Sequence, residues 1–314
     1  MMEKIFITGA GGFIGTHLTT RLVNDGYNVT VLIKELDKNS LFYMNSLDKS
    51  TKLYFGDLRD YNEMERIIRE EQVDTVYHLA AQSQVQRAYR DPLSTLDINI
   101  RGTCNILEAC RKNDIARVII ASSDKAYGIA KKLPYNEDAE LKGCYPYDVS
   151  KSCIDLISQS YFKTYGLPVA ITRCANTFGP GDLNWDRLIP SVIRWLINKE
   201  EILIRSDGMA ERDYMYIDDC VDAYVKIALR ILDSKGEAFN FGRDKPISVL
   251  DLVKLLIDIS GRRVEPKVLG EAKGEIDRQF LDSTKAHEKL KWKAKIPLIE
   301  GLRLTYRWYE KTCK

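Results

Sequence analysis

Only three histidines (His17, His78 and His287) occur in the 314-residue chain, and its seven cysteines (Cys104, Cys110, Cys144, Cys153, Cys174, Cys220 and Cys313) form no C-x-x-C pair. The ligand spacings of zinc sites are therefore missing, and no metal is expected. An excess of charge of one sign is missing too: 47 basic residues against 45 acidic leave a formal net charge of +2. That excludes the basic field nucleic-acid binding needs. No apolar stretch approaches the roughly 18 residues of a membrane span, so no insertion is predicted. Internal repeats and low-complexity segments are also absent, which argues against a solenoid or a scaffold. The odd cysteine count, with no apolar leader ahead of the strand-like run Lys4 to Thr8, points to a reducing compartment and an expected cytoplasmic location.

What is present is a globular composition, 45% hydrophobic and 29% charged, with enough chain for about two domains. The first half alternates short β-branched runs with amphipathic stretches: Ile5 to Thr8, Phe13 to Asp25, Val29 to Ile33, Leu53 to Phe55, Tyr61 to Glu70, Thr75 to Leu79, Leu93 to Lys112 and Val118 to Ala121. This rhythm predicts an α/β fold, a parallel sheet wound with helices on both faces. Unbroken apolar strands such as Val118-Ile119-Ile120-Ala121 agree, because a strand buried on both faces has no reason to alternate. A helix over Tyr147 to Tyr165 and a strand over Val169 to Arg173 continue the pattern. After Thr177, Gly179-Pro180-Gly181 breaks the chain, and shorter helices are expected over Leu188 to Asn198, Asp219 to Leu232 and Val249 to Ser260.

Gly9-Ala10-Gly11-Gly12-Phe13-Ile14-Gly15 follows the first strand and opens the first helix. A pyrophosphate would meet helix amides there, with Gly9, Gly12, Phe13, Ile14 and Gly15 as contacts. The spacing is G-x-x-G-x-x-G, which still supplies a tight turn, close backbone approach and helix–strand contact. The expected architecture is thus a Rossmann-type doubly wound parallel sheet over residues 1–176. A smaller C-terminal α/β substrate lobe follows over 177–314, with strand segments near Tyr216 and Phe239 expected to return to the first sheet. The cofactor is NAD or NADP. Lys34, with no acid at Ile33, tips the choice towards NADP by offering a cation to a 2′-phosphate, while Glu35 one residue on keeps NAD open. Asp57 and Leu58 would sit beside the adenine, and Ala80-Ala81 would let the backbone approach the cofactor. His78 reads as a structural hydrogen-bonding residue.

Tyr147 and Lys151 stand at i and i+4, so a helix presents both on one face. Tyr147 becomes a proton-transfer group if Lys151 lowers its pKa. A shift of about three units is needed, roughly 4 kcal/mol of differential stabilisation.

Taken with Thr8-Gly9-Ala10-Gly11-Gly12-Phe13-Ile14-Gly15, further segments carry a resemblance: His78-Leu79-Ala80-Ala81-Gln82, Asn99-Ile100-Arg101-Gly102-Thr103, Ser122-Ser123-Asp124-Lys125-Ala126-Tyr127-Gly128, the Tyr147/Lys151 pair, Arg173 to Pro180 and Arg212 to Asp219. The chain resembles an extended short-chain dehydrogenase/reductase over nearly its whole length. Within that superfamily it is similar to nucleotide-sugar 4,6-dehydratases, especially those of the GDP-mannose and CDP-glucose type. The resemblance implies that Ser123 and Tyr147 hold the sugar 4-hydroxyl. It also makes Asp124-Lys125 the elimination pair. Once C4 is a ketone the C5 proton is acidic, so Lys125 is the expected base and Asp124 the expected acid for the departing 6-hydroxyl. Burial would push both pKa values the required way. The same two residues can instead form a plain salt bridge at a strand end. By position, Gln82, Asn176, Arg187, Arg212 and Arg278, the last within Glu275-Ile276-Asp277-Arg278, are implied to hold the nucleotide diphosphate sugar. Arginine forks suit phosphate. Trp185 can stack on a base or belong to the core, and Arg87 and Tyr89 can reach the sugar or lie on an exposed turn. The superfamily commonly forms two-fold dimers, here expected through the helices near Leu93 to Lys112 and Tyr147 to Tyr165. A 4-epimerase would need the Tyr147/Lys151 machinery without the Asp124-Lys125 pair, as would a 4-keto reductase. A non-catalytic NAD(P)-sensing protein could share the fold.

Overall fold

The structure is a computed structural model that describes residues 3–35, 37–129, 132–271 and 276–312. Its centre is a seven-stranded sheet. The strands β1 (Lys4–Thr8), β2 (Asn28–Ile33), β3 (Lys52–Phe55), β4 (Thr75–His78), β5 (Arg117–Ala121) and β6 (Val169–Cys174) lie in the spatial order β3-β2-β1-β4-β5-β6, and the strand Ala238–Phe241 adds beyond β6. Every pairing is parallel. Val118, Ile119 and Ile120 of β5 are fully buried, as expected for strands covered on both faces. The order reverses between β1 and β4. A crevice opens at such a point beyond the carboxyl ends of the strands, and ligands bind in it.

Two predicted helices differ in detail. The stretch expected over Leu93 to Lys112 runs as Pro92–Leu96, a π-helical turn Asp97–Arg101 and then Gly102–Lys112. A π-turn carries one extra residue and rotates the helix beyond it. Here it turns Asn99 inward, where it is buried. The stretch expected over Asp219 to Leu232 divides into Ile217–Leu229 and Ile231–Ser234.

The C-terminal part does not stand apart from the sheet. The strand around Phe239 joins the sheet edge, whereas Tyr214–Tyr216 pairs with Asn176–Phe178 in a separate ribbon. One apolar core runs from Ile5 and Val31 through Phe178 and Met215 to Trp292 and Leu302. A three-stranded sheet sets Glu211–Arg212 between Ile247–Ser248 and Arg278–Gln279. Below the crevice a buried polar network fixes the helix Pro146–Tyr165 to the sheet. Arg173 of β6 forks onto Asp155 of that helix at 2.8 and 3.0 Å, and also donates to the Tyr127 hydroxyl at 2.7 Å. Tyr127 in turn donates to Asn240 at 2.7 Å. Among the described residues no helix is long and apolar enough to cross a membrane.

Candidate active site

At the end of β1, Gly9 has φ of +76°, and a side chain there would place its Cβ 2.6 Å from the Ala80 amide nitrogen. A Cβ on Gly15 would overlap the Gly9 carbonyl oxygen. Both positions therefore need glycine for the turn to pass between β1 and β4. The helix α1 (Phe13–Asn24) begins just after Gly12, and no side chain caps it, so the amides around Phe13 and Ile14 face the crevice mouth unpaired by any cap. These features fit the pyrophosphate of a dinucleotide. Ala80 donates its amide to the Thr8 hydroxyl at 3.3 Å. Behind it His78 is buried and bonded at both ring nitrogens, Nδ1 to Thr8 at 2.8 Å and Nε2 to Thr103 at 3.0 Å. The Thr103 hydroxyl is spent as a donor on the Asn99 carbonyl, so His78 donates through Nε2 and accepts at Nδ1. Burial lowers its pKa to about 3. It is a neutral strut.

The adenine end carries a finding the local sequence does not show. Asp57 is clasped by Arg59 at 2.7 Å and by Lys34 at 3.2 Å, and these cations, Arg59 foremost, hold its carboxyl well below the usual range. Lys34 is thus already paired with an acid. Leu58 packs under Gly102, where an added Cβ would lie 2.9 Å from the leucine's own.

The groups expected to react come from two elements. Proline at the first turn starts the helix Pro146–Tyr165, and Tyr147 and Lys151 share its inward face, the Lys151 Nζ lying 5.8 Å from the Tyr147 ring centre. That ammonium donates to the Ala121 carbonyl at the end of β5 at 2.7 Å, and burial lowers its pKa to about 8. Burial pushes the Tyr147 phenol up, with the Asp124 charge adding to this, while a hydrogen bond with Ser123 and the charge of Arg187 oppose it. Ser123 begins the single turn Asp124–Tyr127. Its hydroxyl donates to Asp124 at 3.0 Å and accepts from the Lys125 amide at 3.2 Å. The Lys125 Nζ lies 3.7 Å from the Asp124 carboxylate and donates to the side-chain oxygen of Gln279. Burial lowers the Lys125 pKa, with Asp124 opposing. Ser123, Asp124, Lys125, Tyr147 and Lys151 are therefore in one place.

Two residues of the second lobe reach them: Arg212 is near enough to depress Lys125 and Arg187 near enough to act on Tyr147. Asn176, at the boundary of the two lobes, donates to the Asp213 carbonyl at 3.2 Å in the ribbon Asn176–Phe178 with Tyr214–Tyr216. Arg187 is steadied by Asp182 at 2.7 Å. Two other predicted contacts are placed differently. Arg278 is salt-bridged to Glu211 at 2.6 Å and more than half exposed, lying over Phe280. Neighbouring residues of a strand face opposite ways, so Gln279 faces the site and Arg278 the other side. The Gln82 amide is committed locally, accepting from the Gln84 amide and donating to the Gln84 carbonyl and to the Thr95 hydroxyl of the helical turn Pro92–Leu96. Glu275 lies outside the described residues. Trp185 packs 5.8 Å from the Tyr309 ring, and Tyr89 is exposed beside Tyr145 at 5.4 Å.

Sequence reasoning missed three contributors. Asn99 ties the π-turn to the helix Pro146–Tyr165 through Ser150, which donates to the Tyr147 carbonyl. Asp148 is buried near Lys125 and Asp124, and burial lifts its pKa to about 6. Gln279 is buried and reaches both Lys125 and the Asp124 main chain. Of these, only Asn99 carried a signal, its place in the Asn99-Ile100-Arg101-Gly102-Thr103 run.

A family model described as GDP-mannose 4,6 dehydratase matches residues 6–305. A dTDP-D-glucose 4,6-dehydratase of Dictyostelium discoideum is 34% identical over 278 residues, covering 82% of this chain and 62% of that protein. A putative UDP-glucose 4-epimerase of Methanocaldococcus jannaschii is 33% identical over 307 residues, 97% of each chain. Among solved structures, the UDP-glucose 4-epimerase of Thermotoga maritima with UDP-glucose superposes with a TM-score of 0.92 at 32% identity, covering 99% of this chain and 100% of that one. With a family model matched over residues 6–305 and a glycine turn, Tyr147, Lys151 and Ser123 assembled at the sheet's crevice, the chain belongs to the GDP-mannose 4,6-dehydratase family, within the nucleotide-sugar dehydratases and epimerases of the extended short-chain dehydrogenase/reductase fold.

Proposed function

We propose that the chain is a nucleotide-sugar 4,6-dehydratase that converts an NDP-hexose to its 4-keto-6-deoxy form with loss of water. The observation that carries this reading is the placement of Asp124 and Lys125, 3.7 Å apart, beside Ser123 and Tyr147. Gly9, Gly12, Gly15 and the Ala80-Ala81 backbone would hold NAD(P), which when bound would supply hydride uptake from C4 and hydride return to C6. Burial raises the Tyr147 phenol, so its uptake of the 4-hydroxyl proton, steadied by Ser123, would need the positive charges of Lys151 and of an oxidised nicotinamide beside it. Lys125 removes the C5 proton while Asp124 gives its proton to the departing 6-hydroxyl, and Lys125 later returns the proton to C5. The Asp124–Lys125 pair carries one proton fewer than its full complement, so with that vacancy on Lys125 it offers acid and base at once. At the end Tyr147 holds the 4-hydroxyl proton and Asp124 lacks the one it gave to the departing water, so the cycle closes when a proton passes from Tyr147 to Asp124 through the Ser123 hydroxyl between them. Arg187, Arg212 and Asn176 hold the diphosphate. Lys34 is paired with Asp57, which favours NAD over NADP, and comparing the two dinucleotides by calorimetric titration tests that choice.

A second reading, a 4-epimerase, is favoured by the relatives of that name and would leave Asp124–Lys125 as a salt bridge. A panel of CDP-, GDP-, UDP- and dTDP-hexoses, scored by mass and sugar stereochemistry, separates them. Loss of one water supports the dehydratase. Unchanged mass with inversion at C4 means an epimerase, and binding without either change means a non-catalytic protein.

A further inference from the structure

Gln279 lies 154 residues from Lys125 in sequence, on a strand of the second lobe, yet its side-chain oxygen accepts from the Lys125 Nζ. Its Nε2 donates to the main-chain oxygen of Asp124 at 3.2 Å. The orientation of the amide is fixed by chemistry. The main-chain oxygen of Asp124 only accepts, so the amide nitrogen must face Asp124, which leaves the amide oxygen for the Lys125 amine. Gln279 is wholly buried and carries no charge.

We propose that Gln279 is a positioning residue for Lys125, holding its amine by a neutral acceptor so that the nitrogen is oriented for proton removal without being locked as an ammonium. The inference rests on the dehydratase reading, in which Lys125 is the C5 base. A base needs a lone pair, and an ammonium has none. A carboxylate in hydrogen-bonding contact would strengthen the charged form. The Asp124 carboxylate stands at 3.7 Å, beyond hydrogen-bond length, and the short contact is given instead to an amide. The other groups facing Lys125 are Asp148 from the helix Pro146–Tyr165, which favours the ammonium, and Arg212 from the adjoining strand, which disfavours it. Arg212 and Gln279 are register partners, so a residue expected at the diphosphate and the residue that holds the base sit side by side on one small sheet.

The test uses the holoenzyme and two variants, Gln279→Glu and Gln279→Leu. The proton affinity of Lys125 is read directly from trace acetylation of its amine against pH, followed by peptide mass spectrometry, and compared with the pH profile of water loss. Gln279→Glu places a carboxylate on the amine. Its acetylation midpoint should rise by about a pH unit or more, and water loss should move with it, while formation of reduced nicotinamide on mixing with substrate stays at the wild-type level. Gln279→Leu removes the acceptor. Its midpoint should not rise, so the free amine is at least as abundant, yet kcat for water loss should fall about ten-fold or more with KM little changed. If both variants keep the wild-type midpoint and pH profile and differ only in melting temperature, Gln279 is a strut between lobes and the proposal is overturned. If instead no NDP-hexose loses water, or Lys125→Met loses it at the normal rate, the dehydratase reading itself fails and this inference falls with it.

Discussion

Replacing Lys125 by methionine keeps an unbranched apolar stem as far as the ε-carbon, with sulfur in place of the δ-carbon, and removes the amine, which separates the two chemical stages. Tyr147, Ser123 and Lys151 are untouched, and the Lys151 bond to Ala121 does not involve Lys125, so C4 oxidation should persist. Elimination should slow by about 10² to 10⁴-fold, the usual scale of general base help, or roughly 3 to 5 kcal/mol of barrier. The structure also sets a stability cost. The Gln279 oxygen loses its donor in a wholly buried position, worth about 1 to 3 kcal/mol, and Asp124 loses the cation 3.7 Å away. Not burying an ammonium offsets part of this. The assay is rapid mixing with the substrate found in the nucleotide panel. Absorbance of enzyme-bound reduced nicotinamide should rise and persist while mass analysis finds little dehydrated sugar. Tyr147→Phe is the control, and should form neither. Dehydration at the wild-type rate by Lys125→Met would reduce Lys125 to a salt-bridge partner and refute the assignment of the base.

Gly15→Ala should weaken dinucleotide binding by about 100-fold or more, because the added carbon overlaps the Gly9 carbonyl oxygen, and isothermal titration reads this directly. Asp213 is buried among the amides of Arg243 and Asp244, and burial lifts its pKa from 3.8 to about 7. The folded state then holds a proton that the unfolded state has released, so stability should fall as pH rises from about 4 to 7. Asp213→Asn should flatten the urea midpoint across that window, and an identical slope in both proteins would remove Asp213 as the cause. For assembly, we propose a two-fold dimer through the helical stretch from Pro92 to Lys112 and the helix Pro146–Tyr165, which leave Leu93 and Leu156 exposed. Sedimentation should show a dimer that Leu156→Arg dissociates, and a monomeric wild type at micromolar concentration would sink the idea.

How much of this was legible in the sequence depends on the range of the interactions concerned. Strands such as β5 were readable because an apolar run like Val118-Ile119-Ile120 must be buried on both sides, whereas β3, an edge strand exposed at both its ends, was readable only from its place in the alternation of strands and helices. The Tyr147/Lys151 pair was readable because its geometry is set within one helical turn. The π-turn at Asp97–Arg101 was not, since one extra residue barely disturbs apolar periodicity over so short a stretch, and its product, the inward Asn99, looks like any polar helix residue. The pairing of Lys34 with Asp57 was partly within reach. The parallel register that sets Ile33 beside Phe55 carries the next residues of both strands to the same edge, so the two side chains become neighbours without any local signal. Arg278, expected at the diphosphate, pairs with Glu211, and a two-residue strand is too short for alternation to reveal which neighbour faces inward. The inward one is Gln279, an uncharged residue with no motif, brought to Lys125 by a sheet that no local pattern announces. Chemistry that resides in charged or nucleophilic side chains is therefore readable from spacing, whereas the groups that set the protonation of those side chains are placed by tertiary contacts. Here that division runs between Lys125, which the sequence points to, and the neutral acceptor that lets it act as a base.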